Sequence, residues 1–179
     1  MLRLARWPAV MLLATTLSAC ATMSVSSHVE RGLDFTQYHT WDWGTRDALP
    51  PTDPRLDSPS FQDHLQGAVE RQLARRQLAR TEPGGKPDLL VHYHANVSER
   101  ISANQSNQSS GACYDANCAV RVLEQEVGTI LIDVMDARTN RLIWRGWVQT
   151  DVEGVLNNER RLDDRLEKAV QEMFAQFPR

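Results

Sequence analysis

The sequence predicts a two-layer α+β domain, in which an antiparallel sheet of four to five strands carries two amphipathic helices on one face. Two stretches have apolar residues at helical spacing, and each is apolar on one side only. Several other segments alternate apolar and polar residues, which is the pattern of strands with one buried face. The chain has 179 residues, which is enough for one domain and a short additional segment.

The strands are predicted from alternation and from residue type. Residues 88–97 alternate cleanly, and residues 128–135 and 141–150 form a hairpin around a polar turn. Residues 24–30 and 34–43 are predicted as further strands, the second because aromatic and β-branched side chains follow one another there. Together these segments supply the four to five strands of the sheet.

The two helices are predicted from capping residues and apolar stripes. Ser58 followed by Pro59 is a typical helix start, and the Pro-Gly-Gly sequence at 83–85 is the expected stop. A near-repeat of Arg-Gln-Leu-Ala-Arg ends this first helix, where cations favour the negative end of the helix dipole. The second helix is predicted over residues 158–177. Residues 98–121 are predicted to be a polar loop that interrupts the sheet.

The first nineteen residues have the form of a secretory signal. Arg3 and Arg6 precede an uncharged apolar stretch that is too short to span a membrane. The following Leu17-Ser18-Ala19-Cys20 resembles the lipobox of bacterial lipoproteins, which implies cleavage before Cys20 and acylation of that cysteine. Two simpler alternatives are that Cys20 occurs by chance in an ordinary signal peptide, or that the segment is a weakly amphipathic core helix. Residues 20–179 would then be a single lipidated domain facing the periplasm.

The resemblance to a lipobox also predicts the membrane in which the anchor lies and the charge of the mature chain. Ala21 stands where an aspartate would indicate retention in the inner membrane, so the resemblance favours an outer-membrane location. Cleavage would remove two arginines and leave 18 basic against 23 acidic side chains. An acidic chain lacks the basic surface that nucleic-acid binding needs, so nucleic acid is not an expected partner.

Cys113 and Cys118 lie in the polar loop and are predicted to form a disulfide. The secretory signal places them outside the cytoplasm, where such pairs are kept oxidised. A soft-metal site is the competing interpretation. Two thiols without a neighbouring histidine or cysteine fall short of the four ligands of a tetrahedral site, so no metal and no cofactor are expected.

Four segments resemble a known family. Residues 34–43, 87–93 and 128–137, together with the Leu-Ile-Trp-Arg-Gly sequence at 142–146, resemble the domain-of-unknown-function family numbered 4136, a group of bacterial envelope lipoproteins. The most specific part is the aspartate followed after five residues by Leu-Ile-Trp-Arg-Gly. The resemblance implies a single lipidated domain that faces the periplasm. It brings no catalytic residues.

The sequence gives little support for an enzyme. It contains none of the short motifs of serine hydrolases, zinc peptidases, P-loop proteins or dinucleotide-binding enzymes. His92 and His94 would share one strand face, but a third metal ligand, His39 or His64, cannot be placed from sequence, and surface histidines are the simpler interpretation. Asp133 is equally well explained as a turn or solvated residue.

Binding is the favoured class of function. The candidate surface residues are Trp41, Trp43, Trp144, Trp147, Arg71 and Arg75. Trp144 and Trp147 are three apart, so they are expected on opposite faces of a strand, with one outside the helix-covered core. Core packing for the tryptophans and compensation of the helix dipole for the arginines are the alternatives.

The predicted function is therefore that of a non-enzymatic, lipid-anchored envelope protein. It would act close to the outer membrane as a structural or assembly component, through contacts with an envelope protein. Binding of lipopolysaccharide or peptidoglycan is the alternative.

Overall fold

A computed structural model describes residues 23–45, 53–103 and 122–178. The elements in these ranges are β1 (Ser24–Val29), β2 (Thr40–Trp43), α1 (Pro59–Ala74), β3 (Ala79–Arg80), β4 (Leu89–Ala103), β5 (Val122–Asp136), β6 (Arg141–Asp151) and α2 (Glu159–Phe174). Short 3-10 turns lie at Phe35–Gln37 and Pro54–Asp57.

The described strands form one six-stranded sheet in the order β1-β6-β5-β4-β2-β3. The pairs within β1, β6, β5 and β4 are antiparallel, whereas β2 runs parallel to both β3 and β4. The prediction of an antiparallel sheet with four to five strands was therefore wrong in the strand count and in the direction of β2 relative to its neighbours. The additional strand, β3, has only two residues, so it is too short to show an alternating pattern.

The segment predicted as a strand over 34–43 is only partly extended. The Asp34 carboxylate accepts a hydrogen bond from the Thr36 amide at 2.9 Å, which starts a 3-10 turn, and β2 begins at Thr40. Aspartate competes for the backbone in this way, so the local hydrogen bond overrides the strand propensity of Phe35 and Thr36.

Both strands that flank the predicted polar loop continue into its range, and residues 104–121 lie outside the described ranges. β4 extends to Ala103 and β5 begins at Val122, with the two strands paired along their whole length. The last five of these pairs, from Glu99 opposite Glu126 to Ala103 opposite Val122, lie beyond the end of β6. This two-stranded extension, the hairpin arm, projects roughly 16 Å past the rest of the sheet.

Helix α1 starts as predicted and ends earlier. The Ser58 hydroxyl accepts a hydrogen bond from the Phe61 amide at 3.2 Å, and Pro59 occupies the first turn. The helix ends at Ala74, well before the predicted stop at 83–85, because Gln77 takes a left-handed conformation at φ 62°. The chain then turns through the buried Leu78 into β3.

Both helices pack on the same face of the sheet and on each other. Asn158 caps α2, which ends at Phe174 rather than at 177, although Phe177 still lies in the core. Largest among the fully buried side chains are Trp41, Trp144, Phe61, Phe174, Leu65 and Leu73. Each such side chain contributes about 1.5–3 kcal/mol of burial, so this layer holds the domain together.

The sheet has two distinct ends. One end, called the proximal end, contains the beginning of β1 and the hairpin arm. Both lie there because Ser24 pairs with Gln149 near the end of β6, and Gln149 pairs with Thr129 of β5 near the start of the arm. At the other, the distal end, β5 and β6 are joined by the turn between Asp136 and Arg141. The carboxyl ends of both helices also lie at the distal end, since Phe177 packs on Phe35 of the turn before β2.

Candidate functional site

The Trp-Arg-Gly sequence of β6 is explained by packing. Trp144 is 0% exposed and packs on Phe174 and Phe177, with ring centroids 5.2 and 5.1 Å away. Its indole lies over Gly146, where an added Cβ would come within 2.4 Å of the ring. This part of the pattern therefore holds the core together.

Arg145 points to the other face and forms a two-pronged ion pair with Asp133. Nε and Nη2 each donate to a different carboxylate oxygen at 2.6 Å. Asp133 is only 7% exposed, which differs from the solvated or turn position that the sequence predicts. The bonds to this carboxylate raise the pKa of Arg145 above its ordinary value. The pair crosses from β5 to β6 and fixes their register.

Asp136 and Tyr38 form a buried hydrogen bond at the distal end. The Tyr38 hydroxyl donates to Oδ2 of Asp136 at 2.9 Å, and the Thr139 amide donates to Oδ1 at 2.7 Å. Burial raises the pKa of the Asp136 carboxyl, but the bonds from Thr139 and Tyr38 outweigh it and leave the pKa lowered. Burial and the bond to Asp136 raise the pKa of Tyr38 to about 12. The bond holds the 3-10 turn against the end of β5.

Asp88 fixes the start of β2. Its Oδ2 accepts hydrogen bonds from the amides of His39 and Thr40, both at 2.9 Å. These bonds, that of His39 first, lower the pKa of the carboxyl despite partial burial. Asp88 and Asp136 therefore act together to position residues 35–40.

No helix of the described chain packs on the second face of the sheet, which is called the open face here. Residues that pair across neighbouring strands form rows on this face. One row consists of His92, Asp133, Arg145 and His28. The next row consists of His94, Leu131, Trp147 and Ser26. Trp147 and Leu131 are half-buried neighbours on this face. The open face thus combines one ion pair with an apolar patch that includes an indole ring.

The four candidate tryptophans divide between the two faces. Trp144 and Trp41 lie inside the core, and Trp41 is only 2% exposed. Trp43 is half-buried on the same face, stacks edge-on against Trp41 at 5.3 Å, and donates from Nε1 to Glu70 at 3.2 Å. Only Trp147 lies on the open face, opposite to Trp144 as their spacing predicts. Burial therefore leaves Trp147 as the candidate for a contact surface.

The two candidate arginines have different surroundings. Arg71 is paired with Glu167 of α2, with Nε at 3.0 Å from the carboxylate, so it joins the two helices. Arg75 follows α1 as its carboxyl cap and is exposed. Its neighbour Arg76 stacks on the rings of Phe174 and Phe177 and donates to the carbonyls of Gln72 and Phe174. The structure therefore separates the two arginines that the sequence groups together.

The histidines do not converge. The ring of His92 covers Gly44, where an added Cβ would lie 2.0 Å from the imidazole. His64 contacts Asp163 of α2 at 2.9 Å, and His39 lies at the distal end. Within the ranges that the structure describes, no three histidine, cysteine or acidic side chains are grouped so that they could hold a metal ion. Cys20, Cys113 and Cys118 lie outside those ranges, so the predicted acylation and disulfide stay predictions.

An open groove of about 650 Å³ lies at the distal end, between the carboxyl ends of the helices and the segment before β2. This distal groove is lined by Phe35, Tyr38, His39, Arg75, Arg76 and Phe177, among others. Of these, Arg75 is among the sequence candidates for a contact surface, and His39 was considered only as a possible metal ligand. Phe35 was missed because it lies in a segment predicted as a regular strand, and only Asp34, which starts the 3-10 turn, could have indicated otherwise.

The second cavity is small and apolar. It holds about 30 Å³ between the sheet and the helices, where Ile130, Val148 and Leu166 meet. One polar contact borders it, from Arg165 to the Thr150 hydroxyl at 2.8 Å. This volume accommodates about two water molecules, so the cavity is a packing defect rather than a ligand site.

These features define a two-layer α+β domain, in which the Trp-Arg-Gly sequence of β6 packs the core and pairs with β5. The pattern of the family described as a domain of unknown function, DUF4136, matches residues 25–179. The chain belongs to this family. A search among curated proteins finds no match.

Solved structures share the fold at low sequence identity. A DUF4136 family protein from Bacteroides thetaiotaomicron is 10% identical, with a TM-score of 0.52 over 86% of this chain and 95% of that one. A PDZ domain protein from Parabacteroides distasonis is 15% identical, with a TM-score of 0.54 over 87% of this chain. The present chain corresponds to 36% of the length of the PDZ domain protein. No helix in the described ranges is long and apolar enough to cross a membrane.

Proposed function

We propose that this protein is a non-enzymatic, lipid-anchored component of a bacterial envelope that acts close to the outer membrane through protein contacts. The observation that carries the proposal is the short distance along the chain between Cys20 and β1. Cys20 precedes Ser24, the first residue of β1, by four residues. Even when fully extended, this segment spans only about 14 Å.

The first strand adds no flexible length to this segment, because it is paired from its first residue. β1 pairs with β6 over six consecutive residues, from Ser24 opposite Gln149 to Val29 opposite Trp144. Val25 and Val29 also pack against the core. Acyl chains on Cys20 would therefore hold the whole domain against the membrane, because two or more long chains anchor a protein stably.

The tether also defines an orientation. The proximal end of the sheet would lie nearest the membrane. Since the hairpin arm is longer than the tether, the arm would run along the membrane surface rather than point into it. The open face would then stand beside the membrane surface, with Trp147 and Leu131 one row away from Ser24 and its partner Gln149. Indole rings that are half-buried beside an aliphatic neighbour are typical anchors of protein interfaces.

Complementation of a deletion strain tests this function. A flexible Gly/Ser insertion of about 20 residues after Ala21 adds a coil of roughly 25 Å and should impair rescue of the envelope phenotype, whereas a four-residue insertion should impair it less. Trp147→Ala should impair rescue without releasing the protein from the membrane, and should remove a protein that cross-links to the parent chain.

Lys168→Ala is the matched control, since Lys168 is an exposed residue on α2, away from the open face. It should complement fully. Full rescue by the long insertion and by Trp147→Ala would contradict the proposal, provided that both variants reach the parent level in the membrane fraction.

Binding of lipopolysaccharide or peptidoglycan is the second candidate. The placement of Arg75 in the distal groove favours it, because this groove is large enough for part of a glycan or lipid headgroup. Direct binding of either polymer, with no protein cross-linked at the open face, would favour this second function.

A further inference from the structure

We propose that the distal groove is a binding site for a small organic anion, in which a carboxylate or phosphate contacts Arg75 and His39 and an attached apolar group packs on Phe35. The inference goes beyond the proposed anchoring role and does not depend on it. It rests on the volume, charge, wall chemistry and rigidity of the groove.

The size of the groove fits a small molecule. Ligand sites in proteins commonly enclose about 300–1,000 Å³, and the distal groove, at about 650 Å³, lies in that range. It is open to solvent on one side, so a ligand could enter without a conformational change. The apolar cavity under the sheet, at about 30 Å³, has no comparable space.

The charge of the groove favours an anion. Its described lining contains two arginines and one histidine, and no aspartate or glutamate. Arg71, one helical turn earlier, is paired with Glu167, but no described carboxylate forms an ion pair with Arg75. A guanidinium without an acidic partner on a concave surface is suited to bind a carboxylate or a phosphate in a two-pronged geometry.

The helix ends would oppose an anion if they were uncompensated. Both α1 and α2 end at the groove, and the carboxyl end of a helix carries a partial negative charge. Arg76 reduces this effect, because it donates to the carbonyl of Gln72 in α1 and to that of Phe174 in α2. Arg76 therefore compensates part of the negative charge of the helix ends, and Arg75 lies beside it in the groove.

The apolar wall favours a ligand that is more than a bare ion. Phe35 is half-buried, and its ring stands edge-on to Phe177 at 5.5 Å and to Tyr38 at 6.1 Å. A planar or aliphatic group beside the anion would extend this cluster and cover the remaining surface of Phe35. Such aromatic contacts contribute beyond the area that they bury.

One wall of the groove, the segment from Phe35 to His39, is held in place before any ligand arrives. Tyr38 is held by Asp136, and the backbone of His39 is held by Asp88, so the segment from Phe35 to His39 is tied down at two points. A site that is already ordered loses less conformational entropy on binding.

Titration with phenyl phosphate, followed by NMR of the backbone amides, tests the proposal. The full chain with Cys20→Ser leaves every described residue unchanged and avoids detergent. Phenyl phosphate should bind with a Kd of about 1 mM or lower and should shift the amides of residues 35–39 and 75–78. Inorganic phosphate and phenol should each bind at least about tenfold more weakly, since each has only one of the two features.

Arg75→Gln should weaken binding of phenyl phosphate about tenfold or more, and Phe35→Ala should weaken it while leaving any response to inorganic phosphate unchanged. Arg160→Gln, at an exposed arginine in the first turn of α2, is the control and should not alter binding. Equal binding by the parent and Arg75→Gln, equal binding of phenyl and inorganic phosphate, or no shift in the groove at about 10 mM ligand would overturn the proposal.

Discussion

At the scale of single residues, the contact between Trp144 and Gly146 shows how one side chain determines its neighbour. The two residues point to the same side of β6, and the indole fills the space in which a second side chain would stand. Trp144 joins β6 to the end of α2 through its contacts with Phe174 and Phe177. The glycine is required because of the tryptophan rather than for backbone flexibility.

Gly146→Ala is therefore expected to destabilise the domain by about 1–3 kcal/mol, the usual cost of overpacking a core. Chemical denaturation followed by tryptophan fluorescence measures the change. Gly67→Ala is the matched control, since Gly67 lies within α1 and the nearest side-chain atom to its new Cβ is the flexible guanidinium of Arg71 at 3.2 Å. Alanine should leave stability unchanged or raise it by up to about 1 kcal/mol. Similar stabilities of the two variants would contradict this packing argument.

Residue spacing predicts which face a side chain occupies but not what it contacts. The opposite placement of Trp144 and Trp147 follows from a three-residue separation on one strand. The ion pair between Asp133 and Arg145 could not be predicted in the same way, because its partners meet only through the register of β5 against β6. The distal groove depends similarly on residues far apart in sequence, such as Phe35 and Phe177.

At the scale of elements, Asp88 joins the beginning of β2 to the beginning of β4. The two strands are parallel, and the carboxylate accepts from the amides of His39, just before β2, and Thr40, its first residue. The Asp88 carboxylate therefore satisfies amides that would otherwise need a backbone partner in a neighbouring strand.

The pKa of Asp88 is lower in the folded chain than in the unfolded chain, so the stability it contributes is present above the unfolded pKa of about 4. That contribution is lost as the pH falls through the lower, folded pKa. Asp88→Asn should be less stable than the parent at pH 7 and should lose less stability between pH 5 and pH 2, so that the two curves converge in acid. Urea denaturation at several pH values measures this.

Asp164→Asn, at an exposed position on α2, serves as the control and should follow the parent curve. Parallel curves for Asp88→Asn and the parent across the whole range would show that the carboxylate does not contribute in the proposed way.

Elements with a regular spacing of apolar residues were predicted well. Elements that depend on a single backbone conformation or on pairing with a distant strand were not. The cap at Ser58, the hairpin of β5 and β6, and the apolar stripe of α2 all follow from spacing within a short window. The end of α1 depends on the conformation of Gln77, and β3 exists only because it lies beside β2. The arm was missed because its polar composition resembles that of a loop.

At the scale of the whole molecule, a two-layer domain would be tethered at one end and has a groove at the other. The first strand follows Cys20 so closely that acylation would fix both the distance and the orientation of the domain. The open face and hairpin arm would then stand next to the membrane, and the distal groove would face away from it. Each of these assignments depends on the anchor at Cys20, except ligand binding in the groove.

Fractionation of cells that produce the parent or Cys20→Ser tests that anchor most directly. The parent should float with outer membranes in a sucrose gradient and carry acyl chains on Cys20 by mass spectrometry of the N-terminal peptide. Cys20→Ser should lose the acyl chains and leave the outer-membrane fraction, while Ala21→Ser, the neighbouring control, should behave as the parent. An unmodified Cys20 in the parent, or flotation of Cys20→Ser with outer membranes, would contradict the account.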